Sequence, residues 1–110
     1  MSRSRLTTPK TVFGRRLRHA RETRALTQIE LGVLIGLDEG SSSARLSRYE
    51  SGVHEPSTHT AQRIAAALGI PLAYLYCGDD ALAEVILAFD RLTDADRTAL
   101  MAWVQDRLRD

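Results

Sequence analysis

The side chains of this chain that can do chemistry fall into two unequal sets. Three histidines, His19, His54 and His59, and a single cysteine, Cys77, are the residues suited to metal ligation or nucleophilic work. The histidines lie on different segments without ligand spacing, and no acid-rich cluster accompanies them. There is no nucleophile elbow and no Gly-rich phosphate loop, so neither catalysis nor a cofactor is expected. The second set is hydrogen-bonding. Gln28, Ser41-Ser42-Ser43, Arg45, Ser47 and Arg48 crowd into the thirty residues from Thr27 to Pro56.

The elements that must carry this second set are two short helices with a turn between them. Thr27-Gln28 opens the first, with Leu31, Leu34 and Ile35 on one face. Gly36 is placed to end it, because a residue without Cβ takes the left-handed conformation that closes a helix. The serine cluster supplies hydroxyl caps for the second helix, which runs through Leu46, Tyr49 and Glu50. Gly52 ends that helix and Pro56 prevents its resumption. Two helices at a tight turn, the second rich in polar side chains, suit insertion of one helix into a DNA major groove.

Around this pair the chain reads as all-α. Residues 1–10 are polar and basic, a flexible arm able to lie along phosphates. A helix from Thr11 to Thr23 follows, with Phe13, Leu17 and Ala20 inward. Another, from Ser57 to Leu68, carries Ala61, Ile64, Ala65 and Leu68 inward, and a short one runs from Pro71 to about Tyr76. No segment alternates with period two. Leu17, Leu31, Leu46, Ile64 and Leu68 are core candidates, Tyr49 is expected to be half-buried, and Cys77 is expected as a small buried side chain.

At 110 residues the chain has the size of one domain with a modest core. One cysteine excludes an internal disulfide. No apolar run approaches a membrane span and the N-terminus lacks a signal-peptide core, so a cytoplasmic protein is expected. The net charge of +1 hides an asymmetry. Residues 1–24 hold eight basic side chains against Glu22 alone, whereas residues 79–110 hold eight acidic against four basic. A basic end and an acidic end fit a DNA binder with a separate partner-facing or solvated tail.

Residues 11–76 resemble the Xre/Cro-type helix-turn-helix regulators, the group of the phage repressors and Cro proteins. The resemblance is carried by Leu17-Arg18, Arg21, Leu26-Thr27-Gln28, Leu31, Gly36, Leu46-Ser47-Arg48-Tyr49-Glu50, Gly52 and Pro56, and continues through Ile64-Ala65, Ala67-Leu68-Gly69-Ile70 and Leu75. It implies a five-helix DNA-binding domain over 11–78, which leaves 79–110 as a C-terminal extension outside the resemblance. The chain departs from the family twice. Gly32 stands where the second helix usually has Ala. Gly36 and Glu50 are separated by more residues than usual, the excess falling in the turn around Asp38-Glu39-Gly40-Ser41. That acidic pair either lies away from DNA or caps a lengthened third helix.

By this resemblance Gln28 bonds a phosphate at the start of the second helix, and Arg45 and Arg18 are further phosphate candidates. The base-reading positions fall on Ser43, Ala44, Ser47 and Arg48. Arg48 is the strongest of these, since its fork can bind guanine O6 and N7 together, whereas Ala44 offers a methyl to thymine and the serines discriminate little. Arg21 and Glu50 match a structural salt bridge between the first and third helices.

Beyond Gly78 only the pattern speaks. Leu82, Val85, Ile86 and Phe89 recur at helical spacing, and after a Thr93 cap the next helix puts Leu100, Trp103, Val104 and Leu108 on one side. Such faces either fold back on the chain or join a second copy. Because operators are two-fold, a homodimer through Leu82, Val85, Ile86, Phe89, Leu100, Trp103 and Val104 is expected. The partners called for are thus a double-stranded DNA operator and a second copy. With no separate ligand domain expected, any signal acts through the tail, a partner or concentration. The functional expectation is a repressor. The alternative is an interaction protein such as an antitoxin, gripping a protein partner through its acidic C-terminal helices.

Overall fold

The computed structural model describes residues 8–109, which form seven helices and, among those residues, no strand. Of the arm expected over residues 1–10, positions 1–7 lie outside the described residues. Lys10 already donates its backbone N–H to the Ser51 carbonyl, tying the chain to the end of the third helix.

Side-chain caps start most of the helices. Thr11 Oγ1 accepts from the Gly14 N–H at the head of α1 (Val12–Thr23). Thr27 and Glu30 form a reciprocal capping box at the head of α2 (Gln28–Leu34). Ser57 caps α4 (Thr58–Leu68), Asp79 caps α6 (Asp80–Asp90) and Thr93 caps α7 (Asp94–Leu108). Pro71 sits at the cap position of α5 (Leu72–Tyr76), one residue before the first helical position expected for it.

The third helix differs from its expected form. α3 runs from Glu39 to Ser51, and the extended residue before it is Asp38. The three serines therefore lie inside the helix and cap nothing. Ser42 is fully buried, and its hydroxyl donates to the Asp38 carbonyl one turn back at 2.7 Å. The extra residues lengthen the helix, not the turn. Glu39 stands in the first turn, where its charge complements the helix dipole, while Asp38 makes no side-chain cap bond.

The cause is tertiary. α2 and α3 approach so closely at Gly32 that a Cβ there would collide with the Ser42 side chain and lie 2.9 Å from its Cα. Glycine in place of alanine lets Ser42, a buried residue of α3, into the interface. Gly36 and Gly52, at φ of +93° and +87°, turn the chain out of α2 and α3 as expected.

The core is built from Phe13, Leu17 and Ala20 of α1, Leu31 and Ile35, Leu46 and Tyr49, Ala61, Ile64, Ala65 and Leu68, Tyr74 and Leu75, and Ala83. Tyr49 is fully part of it and not half-buried. Leu34 was expected on the core face of α2 but is 59% exposed, lying with Ile29 and Val33 on the outer side. Cys77 is partly buried against the core. α3 packs against α1 and α2, α5 against α1 and α4, and α6 against α5.

α6 turns Ala83, Ile86 and Leu87 to the core, so Leu82 and Val85 of the expected stripe face outward. α7 contains no buried residue at all. Among the described residues no helix is long and apolar enough to cross a membrane.

Candidate nucleic-acid interface

The buried positions of α3 (Ser42, Leu46, Tyr49 and Glu50) recur at helical spacing and fix which side faces out. Ser43, Ala44, Arg45 and Arg48 are exposed, and Ser47 is half-buried. The four positions to which the resemblance assigns base readout therefore share one outward face. Neither Arg45 nor Arg48 forms an ion pair with any described residue, so both guanidinium groups are available to an anion.

Beneath that face lies a polar cluster centred on Glu50, whose side chain is wholly inaccessible to solvent. Arg21 grips it with two bonds, Nε to Oε2 at 2.6 Å and Nη2 to Oε1 at 3.1 Å. The third arm of the same guanidinium, Nη1, donates to the Leu26 carbonyl at 2.8 Å, holding the turn between α1 and α2. Arg18 Nε donates to Glu50 Oε1 at 3.2 Å, and Gln28 Nε2 donates to the same oxygen at 3.1 Å. One carboxylate thus ties α1, α2 and α3 together. A charge removed from water needs this density of donors.

The cluster reaches the outer face through Gln28. Its Oε1 accepts from Ser43 Oγ at 3.2 Å while its amide nitrogen holds Glu50. Gln28 and Ser43, assigned respectively to phosphate and base, are therefore joined in the free protein. Arg18, also assigned to phosphate, has a side chain only 15% exposed and is turned towards Glu50.

Three further residues shape the site, Gly14 and Arg16 not singled out from the sequence and Ser42 in a role other than the cap expected of it. Gly14 lets α1 meet α3, since a Cβ there would strike the Glu50 carbonyl. A lone glycine in a helical pattern is the signal that marks such an approach. Ser42 sets the α2–α3 contact, as described above. Arg16 donates from Nε to the Cys77 carbonyl at 2.9 Å and from Nη2 to Asp80 Oδ1 at 2.8 Å, with its guanidinium over the Tyr74 ring. This fastens the start of α6 to α1. The Arg16 hydrogen bond and charge, with Arg15 nearby, hold the Asp80 carboxyl below its ordinary range. Burial pushes the Tyr74 phenol up. No sequence signal links Arg16 to Asp80 across 64 positions. Among the described residues no group of histidine, cysteine or acidic side chains could hold a metal ion.

A buried clasp joining three helices, with a polar outward helix above it, defines a helix-turn-helix protein. Residues 17–75 match the family described as helix-turn-helix, and the chain belongs to that family, in its Xre/Cro type. A solved structure titled "Crystal structure of transcriptional regulator BswR" is similar to it at 41% sequence identity and a TM-score of 0.82, covering 84% of this chain and 92% of that one. Among curated proteins none matches.

Proposed function

We propose that this protein is a cytoplasmic transcriptional regulator that binds a two-fold DNA operator as a homodimer and represses by occupying it. The observation that carries the reading is the outward face of α3. Ser43, Ala44, Ser47 and Arg48 stand together there, with two unpaired guanidinium groups, on a helix clamped through Glu50. Clamping matters because base readout needs side chains delivered in a fixed register, and phosphate contacts supply the rest of that register. Arg48 takes the guanine-reading role and Arg45 the phosphate backbone. Gln28 contacts a phosphate at the head of α2 while keeping Ser43 in place. Arg18 holds Glu50 through its Nε and is a further phosphate candidate through the rest of its guanidinium. Membership of the family and the regulator named in the similar structure support the same reading.

The uncovered face of α7 favours a protein contact as well, which suits a dimer and would equally suit an antitoxin's partner. Selection of bound sequences from a random duplex library at about 150 mM salt, where nonspecific phosphate binding is weakened, separates these uses. An enriched inverted repeat is expected. Weak, salt-sensitive and sequence-indifferent binding would replace the regulator by an interaction protein.

A further inference from the structure

α7 is fifteen residues long, or about 22 Å, and buries nothing. A helix of that length is marginal in water unless a face is covered. Met101, Trp103 and Leu108 are among the exposed apolar residues, with Leu100 and Val104 half-buried between them. What covers this face is written in the charges beside it.

Asp96, Leu100, Trp103 and Arg107 follow one another at steps of four, three and four, the spacing of a helix–helix seam. The order along the seam is acid, apolar, aromatic, base. Asp96 and Arg107 have the same midpoint as Leu100 and Trp103, between positions 101 and 102. A single two-fold axis at that point would bring every one of these unlike pairs together at once. This is the self-complementarity that an isologous contact requires, in which residue i meets j and j meets i.

A parallel pairing would instead set Asp96 on Asp96 and Arg107 on Arg107. The helix dipoles agree with the antiparallel choice, because acids fill the first turn of α7 and Arg107 its last. Within the chain Asp96 forms no ion pair with a described residue, and Arg107 lies over the Trp103 ring at 5.1 Å, poised along the seam.

We propose that two copies of this chain join through antiparallel pairing of α7 on α7, with Asp96 against Arg107 of the second copy and Leu100 against its Trp103. This rests on the homodimer reading above and specifies its contact. The arrangement also fixes the two recognition helices relative to each other. Arg97 holds the base of α7 to the end of α6 through the Phe89 and Asp90 carbonyls, and Arg16 holds the start of α6 to α1. Half-site spacing in the operator is then set by a chain of fixed joints.

The test is the mass of the full chain by sedimentation equilibrium in the analytical ultracentrifuge, for wild type, D96R, R107D and an equimolar mixture of the two variants. Circular dichroism of each variant confirms retained helicity. Wild type is expected to be dimeric at micromolar concentration. Each variant alone faces like charges at both ends of the seam and is expected to dimerise roughly tenfold or more weakly. The mixture restores both unlike pairs, so heterodimers are expected at near wild-type affinity.

A wild-type dimer with both variants unaffected would overturn the α7 pairing and leave the homodimer reading intact on another face. Weakened variants that do not recover on mixing would overturn the antiparallel register. A wild type that stays monomeric to about 100 μM, a Kd weaker than roughly 5 kcal/mol of association, would overturn the homodimer reading itself.

Discussion

The α1–α3 region and α7 solve opposite problems with the same kind of residue. In the first, a glutamate and two arginines are withdrawn from water and every oxygen of the carboxylate is occupied by Arg18, Arg21 and Gln28. In the second, aspartates and arginines stand in solvent beside an apolar face that no described residue buries. Charges in the first region act on folding, because an unpaired buried charge is costly. Charges in the second contribute little to the stability of a single chain, and the proposed dimer assigns them to association. The two regions should therefore fail differently when they are altered.

The largest effect is expected at Glu50. Glu50→Ala leaves Arg21 buried without its partner and should lower stability by about 3–5 kcal/mol, read as a shift of the denaturation midpoint. A loss below about 1 kcal/mol, the scale of an exposed pair, would erase the contrast between the two regions.

Gly32→Ala comes next, and it sets two effects against each other. Helix propensity favours alanine by about 1 kcal/mol. The added Cβ would collide with Ser42, whose Cα lies 2.9 Å away, and overpacking of this kind costs about 1–3 kcal/mol. Net destabilisation is expected. A more stable variant would mean that α2 and α3 can part without cost.

Trp103→Ala should change the stability of the dilute single chain by no more than about 0.5 kcal/mol, the range of ordinary surface substitutions, while weakening association. Loss of monomer stability in thermal melts at low concentration would show that α7 packs on its own chain.

The smallest effect belongs to Asp80. Its carboxyl is held below its ordinary range by Arg16, so its contribution is present above the unfolded carboxylate value, near pH 4, and is lost as pH falls through the lower folded value. Asp80→Asn should flatten the acid limb of the stability profile. An unchanged limb would remove Asp80 from it.

Much of this organisation was legible in the sequence, and the failures have physical causes. The seven helices, the Thr93 cap and the buried Leu17, Leu31, Leu46, Ile64 and Leu68 all follow from local chemistry and period. The serine cluster misled because serine's preference for caps is local, whereas Ser42 is buried inside α3 against Gly32 of another helix. Leu34 misled because α2 is only seven residues long, and Leu31 and Ile35 already fill its inner side. The Arg16–Asp80 joint carries no periodic trace. For the interface, the resemblance assigned positions that share the outward face of α3, but only geometry showed that Gln28 links Ser43 to Glu50.

The most direct test of α3 as the reading surface is the ratio of specific to nonspecific DNA affinity for Arg48→Ala and Gln28→Ala, measured at one salt concentration on a selected operator and a scrambled duplex. Arg48→Ala is expected to lower the ratio by about 1–3 kcal/mol for each guanine it reads, while Gln28→Ala weakens both duplexes and changes the ratio less, because Ser43, the residue it holds, discriminates little. An Arg48→Ala protein that keeps both its preferred site and its ratio would contradict the assignment of sequence readout to this face.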